Sequence, residues 1–326
     1  MKILITGITG RIGANLATQL VQEGHSVRGF VWPRDSRVAN LKELGVELVS
    51  GSLTKPSQVQ EVVKGCDIIF HLGAAFQGGG PFTEEEYFEI NVRGTFNVLE
   101  AARSCGIQQL VFASSDALYA KYVPGGIKSP ITESMPIEPR GAYALSKGLG
   151  EDLCLGYWRS YGVPVTVCRF AMVRAADEIL DFPQFYLSSL WKTYSELEDV
   201  WKDGEEEKLV VLKDSHGRVF KKHIADARDI VHGCKCVIGK EKSVGQIYQL
   251  AGPSAFTWDE AVARLAEIRS LKVVEMEVGG VPTYYEFSIE KAERELSFKP
   301  EYDIIRMIDD ALSFQRGNTL GVLPHG

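Results

Sequence analysis

Three kinds of feature are missing from this chain, and each absence narrows what it does. Long hydrophobic runs are the first: no apolar stretch reaches the roughly 18 residues that a membrane span requires. No leader precedes the first apolar strand, which begins at residue 2, so the expected setting is the cytoplasm. Cysteine is scarce. Cys66, Cys105, Cys154, Cys168, Cys234 and Cys236 show no Cys-x-x-Cys and no paired zinc spacing, and most lie inside apolar runs. Reduced thiols and no metal site are expected. Positive charge is also in deficit. With 36 Lys and Arg against 43 Asp and Glu, the net charge is −7, and no basic stripe or membrane-surface helix is present. That argues against nucleic-acid and membrane partners and leaves a small-molecule substrate. Internal repeats and low-complexity linkers are absent too.

What is present is an ordinary globular composition, 45% hydrophobic and 24% charged over 326 residues, enough for about two domains. The first half alternates strand and helix. Strands are expected at residues 2–5, 26–31, 46–49, 68–71, 109–113 and 164–169. Helices are expected at 11–23, 56–64, 84–102 and 141–161. Such alternation implies right-handed crossovers and a parallel sheet covered on both faces. The second half is less regular, with a strand at 246–250 and a helix at 258–268. The glutamates at 84–86 and 205–207 read as solvated surface.

The organising stretch is Lys2–Gly13, an apolar strand followed by Gly7, Gly10 and Gly13 and then an amphipathic helix. A tight turn needs a residue tolerant of positive φ. A pyrophosphate approaches backbone closely only where no Cβ intervenes, and a helix start offers it free N–H groups. Strand, glycine turn and helix together therefore predict a dinucleotide site. At the end of the second strand, Val31 stands where an acid would meet a ribose 2′-hydroxyl. Arg34 and Arg37 follow, and Arg11 lies in the glycine turn, with Asp35 among them. This loop favours the phosphorylated cofactor, NADP, over NAD.

Two further segments carry chemistry. Val111–Tyr119 is a strand running into Ser114 and Ser115, and ligands of parallel sheets gather beyond strand carboxyl ends. Tyr143 and Lys147 lie four apart on a helix and so share a face. An ammonium near a phenol favours the phenolate, as a general acid/base requires. Among the bland readings, Asn91 ties a helix to a neighbouring strand, His71 and His223 are packed histidines, and Cys168 is core. Gly78–Gly80 reads either as a flap over the cofactor or as a loose loop.

At this point the chain resembles the extended short-chain dehydrogenases/reductases, specifically the NAD(P)-dependent epimerase/dehydratase family. The resemblance rests on Thr6-Gly7-x-x-Gly10-x-x-Gly13, Ile69–Ala75, Asn91-Val92-Arg93-Gly94-Thr95, Ser114-Ser115, Tyr143…Lys147 and Lys291–Pro300. It implies a Rossmann-type doubly wound α/β domain, residues 1–172 plus about 216–252, and a smaller, mostly C-terminal substrate lobe, about 173–215 plus 253–326. Ser115, Tyr143 and Lys147 would be catalytic. Gly7, Thr9, Gly10, Arg11, Ile12, Gly13, Arg34, Arg37, Ser52, Leu53, Leu72, Gly73, Ala74, Ala75, Asn91, Tyr143 and Lys147 would bind NAD(P). Many members pair through helices matching 84–102 and 141–161, which makes a homodimer the expectation.

Four departures stand out. Ser52 replaces the aspartate that meets adenine, and Asp116-Ala117 replaces the Asp-Glu of dehydratases. The segment Arg169–Ala176 lacks the asparagine, tyrosine and glycine that help place a nucleotide-sugar. Arg218–Asp226 resembles the family's Arg-x-x-x-His-Val-x-Asp with its arginine one place early, leaving Arg218, Lys221 and Lys222 as either phosphate ligands or a basic turn. Three functions compete: an epimerase that moves hydride out and back, a net carbonyl reductase or dehydrogenase, and a non-catalytic NADP-sensing module.

Overall fold

The computed structural model describes residues 1–33, 35, 37–76, 82–175, 178–201 and 206–321. Its centre is a seven-stranded sheet. The strands are β1 (Lys2–Thr6), β2 (Ser26–Val31), β3 (Glu47–Ser50), β4 (Ile68–His71), β5 (Gln109–Ser115), β6 (Val165–Phe170) and a last one at Ile247–Leu250. All pair in parallel, in the order Ile247–Leu250, β6, β5, β4, β1, β2, β3. The strands read as apolar runs because both faces are covered. Alternate residues go to opposite sides. Ile3, Ile5, Phe70, Val111 and Ala113 join one core, while Leu4, Ile69, Leu110 and Phe112 join the other. A third core belongs to a smaller lobe. It draws on Phe182, Phe185, the Lys208–Lys213 strand, Trp258 and helix Ile304–Gln315. Tyr285, Phe287 and Phe298 pack instead into the sheet's core, so the polypeptide returns to the first body before ending in the second. Among the described residues no helix is long and apolar enough to cross a membrane, and no cluster of three metal-ligating side chains occurs.

The sheet fixes where a ligand lies. The chain runs outward from β1 to β3, then crosses back so that β4 pairs the other edge of β1, with Thr6 beside His71. That reversal opens a crevice at the carboxyl ends of β1 and β4. Gly7 and Gly73 meet there so closely that a Cβ on Gly7 would fall 2.7 Å from the Gly73 backbone.

Most expected elements are present, with shifts at their ends. Strand β5 runs two residues further than expected, to Ser115. The expected long helix from Glu84 is three pieces. Thr83 and Glu86 cap a short turn, Glu84–Tyr87, by a reciprocal capping box. A π-helical turn, Phe88–Arg93, follows, then the α-helix Gly94–Cys105. The wide turn turns Asn91 inward, and its amide holds both sides of the Ala75 peptide at 2.7 and 3.0 Å and the Ser146 hydroxyl at 2.8 Å. The parallel pair Lys208–Lys213 and Lys272–Glu277 was not expected.

Candidate active site

One cleft of about 1420 Å³ runs from the glycine turn to the ends of β5 and β6. Its first wall is the start of helix α1 (Arg11–Gln22), with Arg11, Ile12 and Gly13 facing the space. Gly7 sits at φ +69°, and the Gly10 amide bonds back to its carbonyl at 3.1 Å. A Cβ on Gly13 would stand 2.4 Å from that carbonyl oxygen, so only glycine lets the helix begin this near the turn. Gly10 caps the helix and brings no side chain to its free N–H groups, and the first turn carries no acid. Among the described residues no side chain caps these N–H groups, which leaves an anion cradle. It fits a dinucleotide pyrophosphate.

Beyond the turn, Leu72, Gly73, Ala74 and Ala75 form the floor, and Ser52 and Leu53 the far side. Ser52 is bonded to Thr54 at 2.9 Å, and the Leu53 carbonyl accepts from Asn97 at 2.8 Å. Asn91 does not line the cleft, because its amide is used up on Ala75 and Ser146. It holds the Ala75 end of the floor from behind. Arg34 and Gly78–Gly80 lie outside the described residues.

The loop after β2 differs from the sequence expectation. Asp35 lines the cleft and gathers Thr9 Oγ1 at 2.5 Å and the Arg37 backbone N–H, Nε and Nη2 at 3.0, 2.9 and 2.9 Å. The Arg37 guanidinium holds this carboxyl down at about 2, so Asp35 is ionised and Arg37 is already paired. An acid therefore lies in this part of the cleft, four residues beyond Val31. The signal was Asp35 itself, which arginine neighbours masked.

At the other end, Ser115 closes β5, its hydroxyl accepting from the Ala117 N–H at 3.1 Å. Helix Gly141–Tyr161 brings Tyr143 and Lys147 to the same wall. The Tyr143 ring is boxed edge-on by Phe76 at 5.7 Å and Tyr87 at 6.3 Å. Burial pushes its phenol up to about 12, while the Ser115 hydroxyl pulls it back. Lys147 donates to the Ala113 carbonyl at 2.9 Å, and burial lowers its ammonium to about 8. His71 lies beneath, held between Thr6 at 2.8 Å and Thr95 at 3.0 Å. Burial and the charge of Lys147 keep it neutral, at about 3.

The sequence reading missed several residues of the inner cleft. Asp116 and Lys121 form a buried ion pair beside Ser115. Arg174, two residues past Met172, and Glu178 face them, and Glu178 bonds Arg11 at 2.7 Å across the cleft. By contrast Arg218 is tied to Asp214 at 2.9 Å and Lys221 to Glu286 at 2.9 Å, and neither lines the cleft. His223 is packed, bonded to Gly252 O and the Phe287 N–H at 2.9 and 3.1 Å.

A family model for the NAD dependent epimerase/dehydratase family matches residues 3–251. The chain belongs to this family. It is thereby an extended short-chain dehydrogenase/reductase, a class of NAD-dependent epimerases, dehydratases and reductases. An uncharacterized UDP-glucose epimerase of Bacillus subtilis (strain 168) is 27% identical, covering 92% of this chain and 93% of its own. A 2-alkyl-3-oxoalkanoate reductase of Shewanella oneidensis is 35% identical, over only 46% of this chain and 38% of that one. Among solved structures, a short-chain dehydrogenase/reductase superfamily protein of Agrobacterium tumefaciens, with bound NAD, superposes with a TM-score of 0.85. It is 29% identical, and the match covers 97% of this chain and 98% of that one.

Proposed function

We propose that the protein binds NAD in this cleft and transfers hydride at a secondary alcohol or ketone carbon of a sugar-like or other small polar substrate. Tyr143 is the general acid/base. One observation carries the reading. Ser115, Tyr143 and Lys147 share the wall of a cleft whose opposite end is Gly7, Gly10 and Gly13. The glycine turn would hold the pyrophosphate, Lys147 the nicotinamide ribose, and Ser52 and Leu53 the adenine side. The bound nicotinamide supplies the hydride donor or acceptor. As the phenolate, Tyr143 takes the proton from a substrate hydroxyl, and as the phenol it returns one to a carbonyl oxygen. Ser115 donates to that same oxygen as its charge develops. The Ser115 hydroxyl counters the burial that pushes Tyr143 up to about 12, and the ammonium of Lys147, 6.0 Å from the ring centre, would add to the preference for the phenolate.

The arginine loop favoured NADP on sequence. We infer NAD instead. Asp35 is an ionised acid in the cleft and would repel a 2′-phosphate, and its pairing neutralises Arg37. The Agrobacterium relative holding NAD agrees with this reading.

Hydride out and back, as in an epimerase, is the first form of the activity, in keeping with the near full-length Bacillus relative. Net reduction is the second, supported by partial matches to ketone reductases. Tyr143 and Lys147 at the cleft wall count against a non-catalytic sensor. Absorbance at 340 nm separates the two forms. Product without net change, with NAD retained through gel filtration, means epimerisation, and steady consumption of NADH means reduction. The large exposed side chains Phe88, Phe96, Leu145, Leu149 and Tyr161 lie on the two helical stretches expected to pair, and they support a homodimer.

A further inference from the structure

Among the described residues, Lys121 and Arg174 line the inner cleft, and a third cation, Lys222, lies buried behind it, outside the lining. Lys121 is matched by Asp116. Arg174 is only partly matched. Its Nη1 lies 3.5 Å from Glu178, whose carboxylate is already engaged by Arg11 at 2.7 Å and by the Ala175 N–H at 2.7 Å. Among the described residues its Nη2 meets only the Met172 thioether at 3.6 Å, and its buried Nε has no partner. Lys222 is fully buried, and among the described residues its ammonium has only the neutral Gln184 amide oxygen, at 2.7 Å. It stands 5.2 Å from the centre of the Phe182 ring, and Arg174 stands 4.6 Å from the same ring, so the two cations flank one side chain. Lys121 and Arg174 are near enough to Lys222 to help lower it, with burial, to about 7.

A buried cation without a counter-charge is strongly destabilising. Among the described residues, Arg174 shares its one carboxylate, Glu178, with Arg11, and Lys222 has none in contact, so both have room for a further acceptor. Their position gives the acceptor's place. Arg174 follows β6, whose Phe170 pairs Ser115 in register, so it flanks the substrate side of the Ser115–Tyr143 wall. We propose that the substrate carries an anionic oxygen group, a carboxylate or a phosphate, beside the reacting carbon, and that Arg174 binds it directly with Lys121 and Lys222 behind. This rests on the hydride-transfer reading and narrows its substrate class. It also gives a role to the segment where the nucleotide-sugar pattern is lost, since Arg174 stands within it.

The test is calorimetric titration of the NAD-saturated full chain with D-glucose, D-glucuronate and D-glucose 6-phosphate, with absorbance at 340 nm followed in the same mixtures. At least one charged probe should bind roughly tenfold or more tightly than glucose, the scale of one charge-assisted hydrogen bond. The tighter of the two tells carboxylate from phosphate. Arg174→Gln should abolish that preference with NAD affinity unchanged, and Arg174→Lys should restore part of it. Lys222→Met should weaken the charged probe yet raise the melting temperature, because a lone buried charge is removed. A fall in melting temperature would make Lys222 structural and overturn its part. Charged probes binding no better than glucose, or binding Arg174→Gln as well as wild type, would overturn the inference. Binding of a charged probe through Arg174 without any hydride transfer to it, by net absorbance change or by epimer formation, would instead leave this inference standing and count against the hydride-transfer reading.

Discussion

The ammonium of Lys147 lies 2.9 Å from the Ala113 carbonyl and 6.0 Å from the centre of the Tyr143 ring. Lysine and phenol thus share a wall, and among the described residues the lysine's hydrogen bond goes to the sheet. Its charge is held in a fully buried place at a cost to the fold. Lys147→Met should therefore raise thermal stability while lowering turnover by about 10²-fold or more. The pH dependence has a definite sign. Folding lowers the lysine from 10.5 to about 8, so between those values the unfolded chain binds more protons and stability rises with pH. The stability difference between variant and wild type should be largest below pH 8 and shrink toward pH 10. Melting curves at pH 7, 8.5 and 9.5 measure it, and a constant difference would contradict it.

Asp35 and Arg37 set the cofactor prediction. Wild type should bind NADH more tightly than NADPH. Asp35→Ala frees Arg37 and removes the repulsive carboxylate, so the preference should shift toward NADPH by roughly tenfold or more, the scale of a charge-assisted bond. Fluorescence titration with both nucleotides reads the ratio. A wild-type preference for NADPH would return the loop to its sequence-based reading.

The glycine turn makes a paired prediction. Gly13→Ala places a Cβ 2.4 Å from the Gly7 carbonyl oxygen, so helix start and turn must separate. A stability loss of about 1–3 kcal/mol and a marked loss of NAD binding are expected. Gly156, in mid-helix, has nothing within 4 Å of a would-be Cβ. Gly156→Ala should be neutral or stabilising by up to about 1 kcal/mol. Thermal melts and NAD titrations of the two variants check this, and similar behaviour of both would contradict the packing argument.

Leu145 and Leu149, four apart and half exposed, are central to the expected dimer face. Leu145→Glu should convert a dimer to monomer in light scattering after gel filtration, leaving the monomer folded. A wild-type monomer would remove this part of the account.

What the sequence disclosed, and what it withheld, follows from the range of the interactions. The sheet was legible because β1, β4, β5 and β6 are apolar runs with both faces buried. Gly7, Gly10 and Gly13 were legible because the turn is built within one short stretch. The π-turn at Phe88–Arg93 was not, since its cause is an inward amide meeting Ala75 and Ser146 far along the chain. The pairing of Lys208–Lys213 with Lys272–Glu277 joins segments about 60 residues apart, one of them largely exposed, and periodicity does not reveal such a partner. Lys222 was named as a candidate phosphate ligand, but its proximity to Arg174 was not legible, because only folding brings the two to one phenylalanine ring.

The most direct test of the central claim is the turnover of Tyr143→Phe on the compound that wild type converts, with NAD affinity determined on the same preparation. The account predicts a loss of about 10²–10⁴-fold with NAD bound as tightly as before. Undiminished turnover, or a wild-type chain that does not take up NAD, would contradict it.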